Sequence, residues 1–173
     1  MARNFGRPIQ QIILHTTATS QSATVESIKT FWATPKRNKV TGEKEPYIPN
    51  LQGGCGWSTP IGYHYIIGVN GERHILAHLS QVVNGVRGYN WNSCHISYIG
   101  GRNGDDRTPA QKAETKKLIQ ELRSDKILGP IPVIGHRDTY GDANRDGVID
   151  SRDWKKTCPS FSVSDWLVED GVI

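Results

Sequence analysis

No stretch of the 173 residues approaches the roughly 20 consecutive apolar residues that a membrane-crossing helix needs. Residues Met1 to Gln11 also lack the apolar centre of a secretory signal, so the chain is expected to be made and folded in a cytoplasm. Cysteine is scarce. Cys55, Cys94 and Cys158 are odd in number and widely spaced, which excludes the dense disulfide framework of a small secreted domain and leaves at least one as a free thiol or metal ligand. Charge of one sign is in short supply too: 21 Lys and Arg stand against 17 Asp and Glu, a formal net charge of +4. The clearest basic cluster, Lys36, Arg37 and Lys39, reads as a solvated loop, and with no basic stripe nucleic acid is not an expected partner. There is no internal repeat and no low-complexity tail.

What is present is an ordinary globular composition, 36% hydrophobic with 18 glycines, at a length suited to one domain over residues 1–173. Apolar β-type runs alternate with helical stretches. Gln10 to Leu14 reads as a strand that delivers His15, and a helix follows from about Thr24 to Ala33. Pro35 to Pro60, rich in proline and glycine, reads as a long loop. Asn70-Gly71 is a strong hairpin signal between strands at Tyr63 to Val69 and Glu72 to His78. Ser93 to Ile99 is a further strand. Thr108-Pro109 caps a helix running to about Arg123, with Ala110, Ala113, Leu118 and Leu122 on one face. Ile131 to Ile134 is a final strand that delivers His136, and Ser164 to Glu169 a short helix. The expected fold is α/β, a central mixed sheet flanked by helices.

His15 and His136 each follow a strand end, where α/β folds place their chemistry. With Cys158 they supply two imidazoles and a thiolate, the preferred zinc ligands, and leave a fourth tetrahedral position open for water, as a catalytic zinc requires. The rival pair His74 and His78 would lie roughly 13 Å apart on a strand, too far for one ion. His64 and Tyr63 are successive, so they point to opposite faces. His95 has no partner in the sequence and reads as a surface or core histidine. Zinc so held lowers the pKa of bound water and polarises a carbonyl for attack. Trp57, Tyr89 and Trp91 are candidate stacking platforms, of which Trp91, flanked by Asn90 and Asn92, is the best placed for exposure; Asn90 and Trp91 are the expected substrate contacts.

The segments IILHTTAT (Ile12 to Thr19), GYHYIIGVNGE (Gly62 to Glu72), GYNWNS (Gly88 to Ser93), YIGG (Tyr98 to Gly101), TPAQ (Thr108 to Gln111), GHRD (Gly135 to Asp138) and KTCPSF (Lys156 to Phe161) occur in the order of the type 2 N-acetylmuramoyl-L-alanine amidases. The chain resembles that family, which includes the amidase-type phage lysozymes and the peptidoglycan-recognition proteins. The resemblance implies a zinc enzyme that cleaves the amide between N-acetylmuramic acid and the L-alanine of the peptidoglycan stem. It implies zinc ligands at His15, His136 and Cys158, and catalytic assistance from Tyr63 and Lys156. A phage or prophage endolysin follows as the expected role, held as a monomer in the bacterial cytoplasm until it is released onto the wall. A non-catalytic peptidoglycan-binding or regulatory module on the same fold is the alternative, although a binding-only member would be expected to lack Cys158. Departures from the pattern are a longer stretch from Pro35 to Trp57, Gly85 where the phage lysozymes carry a histidine, and His95 where the family usually has a small residue.

A last signal lies outside that pattern. Asp142 to Asp153 places Asp142, Asn144, Asp146, the Val148 carbonyl, Asp150 and Asp153 at positions 1, 3, 5, 7, 9 and 12 of an EF-hand-like loop, with Gly147 at the sharp turn. Asp at position 12, and a strand end with a turn in place of the leading helix, resemble the dockerin type. A structural calcium separate from the zinc is expected here.

Overall fold

The computed structural model describes residues 4–37, 42, 44–45 and 61–172. Trp57, Cys55, Lys39 and most of the stretch from 38 to 60 lie outside the described residues. Where that stretch is described, Lys36–Arg37 (β2) pairs antiparallel with Lys44–Glu45 (β3), so the expected loop holds a two-stranded ribbon.

The main sheet has five strands in the order β5-β4-β6-β1-β7: Arg73–Ile75 (β5), Tyr65–Ile67 (β4), Ser93–Tyr98 (β6), Gln11–Thr16 (β1) and Val133–Gly135 (β7). The inner pairs β4–β6, β6–β1 and β1–β7 are parallel, and only the β4–β5 hairpin is antiparallel, which makes the sheet mixed. The hairpin strands are shorter than the sequence pattern suggests. Gly68 and Glu72 close the turn by a backbone hydrogen bond of 2.9 Å, and the ladder ends beyond Ile75.

Alternation along the central strands separates two faces. Ile12 and Leu14 of β1 and Cys94 and Ile96 of β6 pack into one core with Leu118, Ile119 and Leu122 of the helix Pro109–Leu122 (α2), and with Val163, Trp166 and Leu167 of the helix Val163–Glu169 (α3). Ile66 joins Ile28 and Trp32 of the helix Val25–Ala33 (α1) in a second, smaller cluster. Each helix begins at a side-chain cap, Thr24, Thr108 and Ser162, that accepts a backbone N–H of the first turn.

The buried face of α2 differs from the expected one. Ala110 and Ala113 are exposed, while Gln111, Thr115, Leu118, Ile119 and Leu122 turn inward. Gln111 is fully buried because its amide donates to the carbonyls of Ile67 (3.3 Å) and Ile99 (2.9 Å). The Ile99 carbonyl is thereby satisfied where an apolar side chain would leave it bare, and the Ile67 carbonyl, which also accepts Ile99 N–H (3.0 Å), gains a second donor.

Candidate active site

Strand register builds the site. Ile12, Ile13 and Leu14 of β1 lie beside Val133, Ile134 and Gly135 of β7, so the next residues on the two parallel strands are His15 and His136. Their rings stand 5.0 Å apart between centroids. β7 stops there because Gly135 N–H turns to the Asp138 carboxylate (2.7 Å) and the chain enters a single-turn helix, His136–Tyr140, where a strand end and simple turn were expected. Cys158 arrives on a loop tied to that turn, its carbonyl accepting from Arg137 N–H (2.8 Å), and its sulfur accepts from Thr16 N–H at the end of β1 (3.3 Å). Gly135 makes the close approach possible: a β-carbon there would sit 2.8 Å from Pro159 Cδ.

One ligand atom from each of His15, His136 and Cys158 falls within 4.8 Å of the other two. Among the described residues no other His, Cys, Asp and Glu group meets that condition. The electrostatics suit a cation. Burial first, then His136 and Lys156, holds His15 well below the ordinary histidine pKa, and burial with Lys156 lowers His136 to about 4, so both imidazoles are neutral ligands at neutral pH. Burial pushes the Cys158 thiol up to about 11 against the pull of Thr16 N–H, Lys156 and Arg137. A thiol so buried gives up its proton readily only to a metal. Two neutral nitrogens and one sulfur form a borderline-soft set that fits zinc.

His136 and Cys158 line a cleft of about 620 Å³ whose walls include Tyr63, Trp32, Phe31, Arg102 and Lys156, while His15 is buried and does not line it. Tyr63 lies against His15, ring centroids 4.9 Å apart, and its hydroxyl reaches the Thr16 carbonyl at 3.5 Å. Trp32 meets the Tyr63 ring edge-on at 5.5 Å. Phe31 was not singled out by sequence reasoning, yet it is 62% exposed on the cleft wall, because consecutive helical positions send Trp32 inward and Phe31 out.

Other expected residues take different places. Asn90 is buried and its side chain accepts Val86 N–H (2.7 Å), so it holds its own turn together; neither it nor Trp91 lines the cleft. Tyr89 donates to the Thr139 carbonyl (3.1 Å) and buttresses the turn after His136. Tyr63 and His64 were expected on opposite faces, yet Tyr63 packs on His15 and His64 on His95, two rings that touch each other; both residues precede β4, where strand alternation does not hold. His74 stands beside Glu72 and His78 beside Ser80, far from the ligand triad in role as in partners. Cys94 is a buried free thiol in the core.

His95 is the residue that sequence reasoning missed. It is fully buried, and its Nδ1 lies 3.0 Å from His15 Nε2. The two departures at 85 and 95 are one feature, since a β-carbon on Gly85 would fall 2.2 Å from His95 Nδ1. The available signal was alternation: Ser93, His95 and Ser97 share the polar face of β6 with the face of β1 that carries His15.

In the loop 142–153 the carboxylates cap their own backbone. Asp142 accepts from Asp146 and Gly147 N–H (3.1 and 2.8 Å), and Asp153 from Ala143, Asn144 and Asp150 N–H (2.9, 3.0 and 2.9 Å). Arg152 reaches Asp146 and Asp150, 2.7 Å from each.

The sequence profile of the family described as N-acetylmuramoyl-L-alanine amidase matches residues 5–161. An uncharacterised protein of Haemophilus influenzae is 40% identical over 95 residues, 51% of this chain and 78% of that protein. Among solved structures, N-acetylmuramoyl-L-alanine amidase LysC from Clostridium intestinale URNW is similar with a TM-score of 0.63 at 18% identity, covering 100% of this chain and 92% of that one. The Ph2119 endolysin of a Thermus scotoductus bacteriophage gives 0.59 at 20% identity, over 99% of this chain and 88% of that one. Human PGRP-IBETAC in complex with glycosamyl muramyl pentapeptide gives 0.60 at 18% identity, over 96% and 88%. At these identities the structural likeness is one of fold.

Proposed function

We propose that this chain, which belongs to the N-acetylmuramoyl-L-alanine amidase family, is a zinc-dependent hydrolase that cleaves the amide between N-acetylmuramic acid and L-alanine of peptidoglycan. The observation that carries the reading is the convergence of His15, His136 and Cys158 donors to within 4.8 Å of one another, with His136 and Cys158 on the wall of an open cleft. When bound, zinc supplies Lewis acidity toward the amide carbonyl and toward water. The chain's own groups do the rest. His15 and His136 stay neutral through burial and so offer lone pairs, and Lys156, on the cleft wall, holds its ammonium over the same space. Lys156 and the Tyr63 hydroxyl are the donors we assign to the oxyanion that forms at the carbonyl. Phe31 and Trp32 give the cleft an apolar wall suited to a sugar ring or the methyl of alanine.

The role we assign is that of a monomeric phage or prophage endolysin, held in the bacterial cytoplasm until release and then acting on the wall. It is supported by the fold shared with the Ph2119 endolysin; no helix among the described residues is long and apolar enough to cross a membrane. A structural calcium in the loop 142–153 belongs to the same reading. Its support is the spacing of Asp142, Asn144, Asp146, Val148, Asp150 and Asp153, and the ion would take over the charge balance that Arg152 supplies here.

The fold shared with PGRP-IBETAC keeps a second reading in view, a module that binds peptidoglycan without turnover. Incubation with purified peptidoglycan separates the two. New L-alanine amino termini appear with the hydrolase, vanish on chelation and return with zinc. Wall binding without new termini would leave the binding module.

A further inference from the structure

Two imidazole nitrogens 3.0 Å apart, His15 Nε2 and His95 Nδ1, need a single proton between them, and both rings are buried. The direction of that bond follows from the rest of His15. Its Nδ1 faces Cys158, 3.8 Å from the sulfur, so Nδ1 is the nitrogen available to a metal and must keep its lone pair. Nε2 then carries the hydrogen and donates to His95 Nδ1. His95 must accept, which puts its own hydrogen on Nε2, a buried atom with no hydrogen-bond partner among the described residues. An orphaned buried ring N–H is a desolvation cost that a leucine at 95 would not incur. The ring is also firmly placed: its backbone N–H donates to His64 Nδ1 (3.0 Å), and the His64 and His95 rings stack at 6.0 Å with 1° between planes.

Gly85 completes the arrangement. Its φ is not in the left-handed region, so the backbone does not demand glycine; the space does, because a β-carbon would lie 2.2 Å from His95 Nδ1 and 2.5 Å from Cγ.

We propose that His95 is the positioning residue of the metal site: by accepting from His15 Nε2 it fixes the ring and tautomer that leave His15 Nδ1 free for zinc, and Gly85 is glycine to admit its ring. The proposal rests on the zinc reading above. Partners of this kind on a ligating histidine are worth about 10–100-fold in metal affinity.

The test is zinc affinity by chelator competition, with melting temperature followed in parallel. His95→Leu removes the acceptor and should weaken zinc binding by about 10–100-fold. His95→Asn returns an acceptor oxygen to the place of Nδ1 and should stay within a few-fold of wild type. Gly85→Ala displaces the ring and should match His95→Leu, with no added loss when the two are combined, as coupled sites require. Zinc held as tightly by His95→Leu as by wild type overturns the proposal. So does a His95→Asn chain as weak as His95→Leu, which would make ring shape the cause. If His95→Leu does not fold, Gly85→Ala decides: unchanged affinity there overturns the proposal. A wild-type chain that binds no zinc overturns the zinc reading, and this inference with it.

Discussion

The guanidinium of Arg7 and the imidazole of His64 meet in the interior, Nη2 to Nε2 at 2.9 Å, with both side chains almost wholly buried. The contact is between two donors. His64 Nδ1 accepts the His95 backbone N–H, so Nε2 carries the hydrogen and gives it to the Gln81 carbonyl (3.0 Å). Arg7 spends its hydrogens on the carbonyls of Leu79, Asn90, Trp91 and Ser93. Burial first, then the Arg7 charge, lowers the pKa of His64 to about 3.

Acid stability follows from that value. The unfolded chain takes up the His64 proton near pH 6.5 and the folded one only near 3, so this group contributes stability above 6.5 that is lost as the pH falls through the interval. The loss is about 1.4 kcal/mol per pH unit for one proton. Melting curves between pH 7 and 4.5 should show a shallower decline for His64→Asn, which keeps an acceptor for His95 N–H, than for wild type. Equal slopes would contradict the assignment.

Cys158→Ser should fold and lose zinc. A serine hydroxyl is protonated at neutral pH and a poor zinc ligand, so affinity should drop by more than the roughly 10–100-fold that an outer partner is worth. Metal content by atomic absorption and release of L-alanine termini should fall together. Full activity in this variant would remove Cys158 from the site.

Lys156→Ala and Tyr63→Phe should act on turnover alone. Loss of one oxyanion donor costs about 10²–10³ in kcat, while zinc content should remain at one per chain. A variant that emptied the site would show that the residue had been given the wrong role.

The calcium loop is tested by melting temperature with and without calcium at fixed zinc. Ion at 100 times its Kd stabilises by about 2.7 kcal/mol. Wild type should gain and the double variant Asp142→Ala, Asp146→Ala should not; the same response in both would end the calcium assignment.

Legibility in the sequence tracked how local each feature is. The runs ending in His15 and His136 are short and apolar, and the capped starts of α1 and α2 are written in three or four residues, so both were readable. Register is not local. Nothing near Leu14 announces that it lies beside Gly135, and only that pairing turns two strand-end histidines into one site. Buried polar side chains failed for a related reason. Gln111, His95 and Arg7 face inward because distant carbonyls or ring nitrogens await them, and a count of apolar positions along one helix or strand passes over such residues. Asn90 was misread in the same way: its short-range bond to Val86 N–H suits a turn as well as a substrate.

The pairing of β1 with β7 also bears on when the site can exist during synthesis. His15 belongs to the first strand made, whereas His136 and Cys158 follow the last strand of the sheet. A nascent chain carrying β1, β4, β5 and β6 can assemble four of the five main-sheet strands and still hold one ligand of three. Only after Cys158 clears the ribosome and β7 docks along β1 do the donors meet. A nascent or truncated chain lacking β7 and Cys158 therefore presents no complete donor set, and any activity that depends on that set is confined to the completed fold.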